Sequence, residues 1–331
     1  MLRLASSWVW DFWFADDGDL YHLFFLKASR ALLDPDRRHW RASIGHATSS
    51  DLTNWMEHED ALVHSDDGSF DDLATWTGSV VRDATGMWRM FYTGVDRDGR
   101  GLVQRIGQAT SHDLFVWHKL GHSGVVSPDF SVYESLSDHA WPDEAWRDPW
   151  VFADPTGNGW HMVMTARARV GAPDGRGVVG HAWSPDLVTW DTLPPLSDPG
   201  SGFGQLEVIQ LVQIEGAYVL LFSCMTPQLS DERRARGETG GIWAVNVDNL
   251  LGPYDIAGAY KIADESLYVG RAIQARDGEW VLLAFKNLGA DGAFVGQITD
   301  PIPLRWESGH LTLDFESAGS GRPSHTADIQ A

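Results

Sequence analysis

One short pattern recurs along this 331-residue chain, and it restricts the fold more than any other feature. IGHATSSDLTNW begins at Ile44, IGQATSHDLFVW at Ile106 and VGHAWSPDLVTW at Val179, agreeing at too many positions for chance to produce them. Looser copies, IWAVNVDNLLGPYD and VGQITDPIPLRW, begin at Ile242 and Val295. A unit that recurs over the whole length implies a repeat architecture, in which each copy buries its apolar face against its neighbours.

Two strand-like runs precede every copy. The nearer ones are Tyr21 to Leu26, Trp88 to Gly94, Trp160 to Thr165, Tyr218 to Cys224 and Trp280 to Phe285. The farther ones lie around Val9 to Phe14, Thr75 to Val81, Arg147 to Ala153, Leu206 to Val212 and Leu267 to Ala272. Both sets are rich in β-branched, aromatic and aliphatic residues, and turn signals such as Asp17-Gly18, Thr156-Gly157 and Asp277-Gly278 separate them. With a short fourth strand after each repeat, the chain reads as all-β: a single five-bladed β-propeller of four antiparallel strands per blade, over 1–315. No C-terminal β-sandwich is expected, and the small polar segment 316–331 reads as a disordered tail. How the ring closes is not legible.

The first strand of each blade lines the central channel, which makes three carboxylates conspicuous. Asp11, Asp148 and Glu207 interrupt apolar first strands of blades 1, 3 and 4 at comparable points. A carboxylate in such a strand is costly unless it is paired, protonated or used. Since the inner strands run the same way, all three should meet at one mouth. Blades 2 and 5 offer Trp76-Thr77-Gly78-Ser79 and Tyr268 to Arg271 at the same level.

Composition narrows the partners. Asp+Glu of 46 against Lys+Arg of 25 leaves a net charge of −21, which disfavours nucleic acid and anionic membranes and leaves a neutral small molecule or polymer as the better partner. No apolar run is long enough to span a bilayer. MLRLASSWVWDFWFADD lacks the pattern of a secretion signal, and Cys224 alone allows no intrachain disulfide, so a cytoplasmic location is the expectation. The 17 Trp suit either blade packing or sugar stacking. Oligomeric state has no signal.

Two carboxyl groups flanking a glycosidic bond can cleave it, one protonated toward the leaving group and one ionised as nucleophile or base. Leu206, Val208 and Ile209 beside Glu207 suggest a desolvated side chain that keeps its proton, hence the acid. Asp11 is then the ionised partner, and Asp148, next to Arg147, stays charged to hold sugar hydroxyls.

These motifs resemble glycoside hydrolase families 32 and 68, with family 43 a more distant relative. Trp10-Asp11 with Trp13 and Tyr21-His22 is similar to the nucleophile strand of levansucrase-like enzymes, Trp76-Thr77-Gly78-Ser79 to the Ser-Gly-Ser element beside it, and Trp146-Arg147-Asp148-Pro149 to their Arg-Asp-Pro motif. The resemblance implies a fructosyl-Asp11 intermediate, Glu207 as acid/base, Asp148 as transition-state stabiliser, Ser79 near Asp11, and action on β-fructofuranosides such as sucrose or fructans. Glu207 precedes Val208-Ile209-Gln210, whereas the family shows Cys-Pro or Arg-Pro there. A family 43-like inverting enzyme for arabinosyl or xylosyl substrates and a non-catalytic sugar-binding propeller are the alternatives.

Other acidic and basic residues have plainer readings. Asp51, Asp113 and Asp186 each occupy a Ser-x-Asp-Leu turn, where a side chain caps backbone amides. Asp16-Asp17-Gly18-Asp19 is a hairpin turn, lacking the downstream glutamate of a calcium loop. His46 and His181 share one repeat position that is Gln108 in the second copy, which points to packing; no metal or cofactor is expected. Trp10, Trp13, Trp76 and Trp146 are candidates for sugar stacking or core packing, and Arg271 for a buried ion pair or a substrate contact.

Overall fold

The computed structural model describes residues 1–319, so most of the expected tail, 320–331, lies outside the described residues. The twenty-one strands among the described residues fall into five antiparallel sheets, the five blades. Their inner strands are Ser7–Asp16, Ala74–Arg82, Trp146–Ala153, Glu207–Ile214 and Leu267–Gln274. The repeated motif supplies the third strand of each blade and the turn after it. In blade 5 that strand is split into Phe294–Ile298 and Ile302–Glu307, both pairing with Trp280–Leu288. The chain then ends its last hairpin at His310–Leu313 and continues as a short helix, Phe315–Gly319, into the segment read as tail.

The motif's sequence explains its shape. Asp51 Oδ1 accepts from the amides of Thr53 and Asn54, both at 2.8 Å, and Asp113 and Asp186 do the same for the two residues that follow their leucines. This wrapping drives Leu52, Leu114 and Leu187 into the left-handed region, at φ of 62°, 68° and 64°, and each leucine is buried in its blade. The repeat histidines also pack: in blade 1 His22 joins His46 at 2.9 Å and turn residue Asp17 at 3.2 Å, and in blade 3 His161 joins His181 at 2.9 Å and Asp154 at 2.7 Å. Burial pulls His46 down to about 3 and His181 to about 4, so both are neutral partners of the histidines, His22 and His161, that reach the turn carboxylates.

Ring closure rests on contacts between the chain's two ends. Leu2 exchanges backbone hydrogen bonds with Ile298 of blade 5 at 3.1 and 3.0 Å. Arg276 of blade 5 grips Asp16 of blade 1 with both terminal nitrogens, at 2.6 and 2.7 Å. Arg271 settles as a structural tie: its Nε donates to the Phe12 carbonyl and its Nη1 to that of Ile209, joining the inner strands of blades 1, 4 and 5. Burial pulls its guanidinium down to about 10.

Every inner strand breaks register at the same level. The breaks fall between Trp10 and Phe12, Trp76 and Gly78, Arg147 and Trp150, Glu207 and Gln210, and Tyr268 and Arg271. Asp148, Val208 and Val269 take φ of 58°, 53° and 52° there. Such bulges bend a strand and re-aim a side chain. Blade 2 achieves its bulge with a glycine, since a Cβ on Gly78 would stand 2.1 Å from the Phe91 carbonyl oxygen. Gly78→Ala is therefore expected to cost about 2–4 kcal/mol, read as a lower midpoint in urea unfolding; an unchanged midpoint would show that the two strands can separate freely.

Candidate active site

The five register breaks open onto one cavity of about 590 Å³. Asp11, Thr77, Asp148, Glu207 with Val208, and Tyr268 line it, so each blade contributes at its bulge. Trp10, Arg38, His39, Trp76 and Trp141 add aromatic and basic surface around them.

The three carboxylates sit in different surroundings. Asp11 accepts a 2.6 Å hydrogen bond from Thr77 Oγ1. Burial, reinforced by the neighbouring Asp148 charge, pushes its carboxyl up to about 7 against that bond. Asp148 Oδ2 accepts from Thr165 Oγ1 at 3.0 Å and from the Val208 amide at 3.2 Å, and it lies 3.5 Å from Arg147 Nε. Burial raises its pKa while Arg147 opposes the rise. Glu207 forms a 2.6 Å ion pair with Arg147 Nη2 through Oε1, and Tyr268 donates its phenol to Oε2.

Arg147 is the hub. Its Nη1 donates to Asp143 at 3.2 Å and to Gln104 at 3.1 Å, and its Nη2 also donates to Gln205 at 2.7 Å. Burial pulls its guanidinium down, but the charges of Asp143, Glu207 and Asp148 carry it above the ordinary range. His39 stays neutral, since burial and the nearby Arg38 and Arg147 pull it down to about 3. A partly buried, half-neutralised cluster of carboxyl groups beside aromatic walls is suited to proton transfer and nucleophilic attack on a polar, uncharged ligand. Among the described residues no group of His, Cys, Asp and Glu side chains is arranged to hold a metal ion, and no helix is long and apolar enough to cross a membrane.

Residues 13–287 match the sequence model of the glycosyl hydrolases family 32 N-terminal domain. The chain belongs to glycosyl hydrolase family 32. It is 26% identical over 307 residues to raffinose invertase of Escherichia coli, covering 89% of this chain and 56% of that protein. It is 27% identical over 202 residues to an insoluble β-fructofuranosidase isoenzyme of Arabidopsis thaliana, covering 59% of this chain and 34% of the relative. The chain thus spans about a third to just over half of these relatives. Its fold is shared with the inulosucrase of Halalkalicoccus jeotgali bound to kestose, at a TM-score of 0.76, 22% identity and coverage of 95% and 90% of the two chains. Bacillus subtilis levansucrase aligns at a TM-score of 0.70 and 16% identity, covering 94% and 86%.

The family 32 site differs from its sequence-based outline in several places. The aliphatic shell expected around Glu207 is corrected: Leu206 and Ile209 are buried, Val208 shares the cavity wall, and the carboxylate faces Arg147 and Tyr268. Burial raises the carboxyls of both Asp11 and Asp148. Ser79 is not beside Asp11; it accepts from the Val151 amide of blade 3 at 3.2 Å, and Thr77, two residues earlier, takes the expected place. Trp13 is fully buried against Phe24, and Trp146 is buried with its indole donating to the Val126 carbonyl, so both are core residues. Trp10 and Trp76 do reach the cavity wall, as do Arg147 and all three carboxylates, while Arg271 stays in the seam between strands. Tyr268 and Thr77 were signalled by their register with the acids. Arg38 and His39 come from the 3-10 helix Pro35–Arg41, Gln228 from the 3-10 turn Thr226–Gln228, and Gln205 and Trp141 from loops, none of which has a repeat position to mark it.

The raised Asp11 has a thermodynamic consequence. A carboxyl whose pKa is higher folded than unfolded binds extra protons in the folded state, so stability falls as pH rises from about 4 through about 7. Asp11→Asn removes that loss. Its stability advantage over the wild type should be near zero at pH 4 and grow to about 3–5 kcal/mol above pH 8. Paired unfolding curves across this range test it, and a difference independent of pH would refute the assignment.

Proposed function

We propose that this chain is a glycoside hydrolase or fructosyltransferase that cleaves β-fructofuranosidic bonds in sucrose, fructo-oligosaccharides or fructans. The observation that carries this reading is the meeting of Asp11, Asp148 and Glu207 in one cavity of a family 32 propeller. The names of its relatives, a β-fructofuranosidase and an invertase, support the substrate class.

In this mechanism Asp11 attacks the anomeric carbon and forms a fructosyl ester, while Glu207, reacting in its protonated form, delivers that proton to the departing oxygen and is left as the carboxylate that Arg147 and Tyr268 hold. Glu207 then takes a proton from water, or from an acceptor sugar, which releases the fructosyl group from Asp11. Tyr268 and Arg147 hold the two oxygens of Glu207, so its carboxyl plane is set before substrate arrives. Asp148, held by Thr165 and the Val208 amide, accepts fructosyl hydroxyls whose bonds tighten as positive charge develops on the ring. Thr77 orients Asp11 without neutralising it.

Asp11→Ala and Glu207→Ala should each reduce turnover of sucrose or inulin by on the order of 10³-fold or more, and Asp148→Ala by somewhat less. Product chromatography on sucrose, inulin, levan and aryl furanosides separates hydrolysis from transfer. Turnover confined to arabinosyl or xylosyl substrates would move the chain to the inverting alternative, and sugar binding without turnover to a non-catalytic propeller.

The pH profile carries a second expectation. Nucleophilic attack requires ionised Asp11, so the acidic limb of the kcat/KM profile should be governed by a group titrating at about 7. An acidic limb that ends below pH 5 would mean that another group governs the attack.

A further inference from the structure

Trp141 lines the cavity from an irregular segment before the inner strand of blade 3, and its fixing is elaborate for a loop residue. The Arg167 guanidinium lies 3.9 Å from its ring. Arg167 is itself 1% exposed and anchored by Glu134 at 2.9 Å and by the Pro173 carbonyl at 2.8 Å. Glu134 is held in turn by Arg176 at 2.7 Å. The six-membered edge of the indole rests on Gly204, where a Cβ would come within 2.6 Å of Cη2. A buried charged scaffold and a residue without a side chain therefore hold one indole in place, and the ring surface left over belongs to the cavity wall.

Its position relative to the acids gives that surface a role. Trp141 packs on Gly204, whose neighbour Gln205 shares the Arg147 guanidinium with Glu207 and bonds Asp143, so Trp141 stands on the Glu207 side of the cavity, whereas Trp10, Arg38, His39 and Trp76 cluster on the Asp11 side. The residue that protonates the departing oxygen must face the leaving group. A rigid indole beside it presents a flat apolar face, the surface that the C–H side of a pyranose or furanose ring covers best.

We propose that Trp141 is the platform on which the leaving sugar, or the acceptor sugar in transfer, stacks, and that it sets selectivity for ring-bearing leaving groups. The inference rests on the fructoside reading above and adds the residue that reads the other half of the substrate. Because its orientation is fixed by Arg167 and Gly204 before any sugar arrives, little side-chain freedom is lost on binding.

The test compares sucrose with methyl β-D-fructofuranoside, whose leaving group has no ring. Trp141→Ala should lower kcat/KM for sucrose roughly three- to tenfold more than for the methyl fructoside, and Trp141→Phe should restore most of that difference. An equal fall on both substrates, or an unchanged value for sucrose, overturns the platform. A wild type that turns over neither substrate would defeat the fructoside reading alone. Calorimetry with sucrose then reads the platform directly in Asp11→Asn and in Asp11→Asn/Trp141→Ala: weaker binding by roughly three- to tenfold supports it, and equal or absent binding in both overturns it.

Discussion

A β-strand turns its side chains alternately to the two faces of its sheet, and in a propeller both faces of a blade are covered by neighbouring blades. A strand in regular register therefore has no side chain to spare for the channel. The five coincident register breaks solve this geometric problem, and the site depends on them. At each break one residue leaves the alternation and faces the cavity: Asp11, Thr77, Asp148, Glu207 or Tyr268. Left-handed backbone at Asp148, Val208 and Val269 is the local strain that this re-aiming requires, and cross-blade hydrogen bonds such as those of Val208 to Asp148 and Val269 to Ser223 hold it.

Bringing several carboxyl groups into one cavity creates an electrostatic problem that the fold solves unevenly. Arg147 sits between Asp143, Asp148 and Glu207 and offsets much of their mutual repulsion. Among the described residues no cation bonds Asp11, which relies on Thr77 and a weaker pull from Arg38, so burial and the Asp148 charge dominate its ionisation. The asymmetry separates two carboxyl environments within one cavity, the condition under which acids of similar intrinsic strength take different roles. The same asymmetry concentrates the destabilising cost of the site on Asp11, whose surroundings favour the neutral form that nucleophilic chemistry cannot use.

Much of this arrangement was legible because propellers repeat. The Ser-x-Asp-Leu turns and the strand runs are local patterns whose chemistry acts over a few residues, so the sequence carries them openly. The carboxylates stood out because they violate the pattern around them. Reading environments from adjacent residues failed at Glu207 for the reason that bulges exist: Val208 and Ile209 are neighbours in the chain but leave Glu207 facing elsewhere. The same error of scale misplaced Ser79, which lies one full alternation beyond the residue that bonds Asp11.

The sequence alone determined the number of blades, the inner strands, the turn chemistry and the set of acids, because periodicity and local hydrogen bonding are properties of adjacent residues. Only the tertiary structure decided which acid is isolated and which is paired, that Leu2 and Arg276 close the ring, that Arg271 and Trp13 serve packing, and that Trp141 is clamped at the cavity wall. Those outcomes depend on side chains that approach from different blades, Arg147 on Glu207 or Arg167 on Trp141, and on loops whose positions no repeat constrains. Electrostatics and stacking act through space over a few ångströms, whatever the distance along the chain.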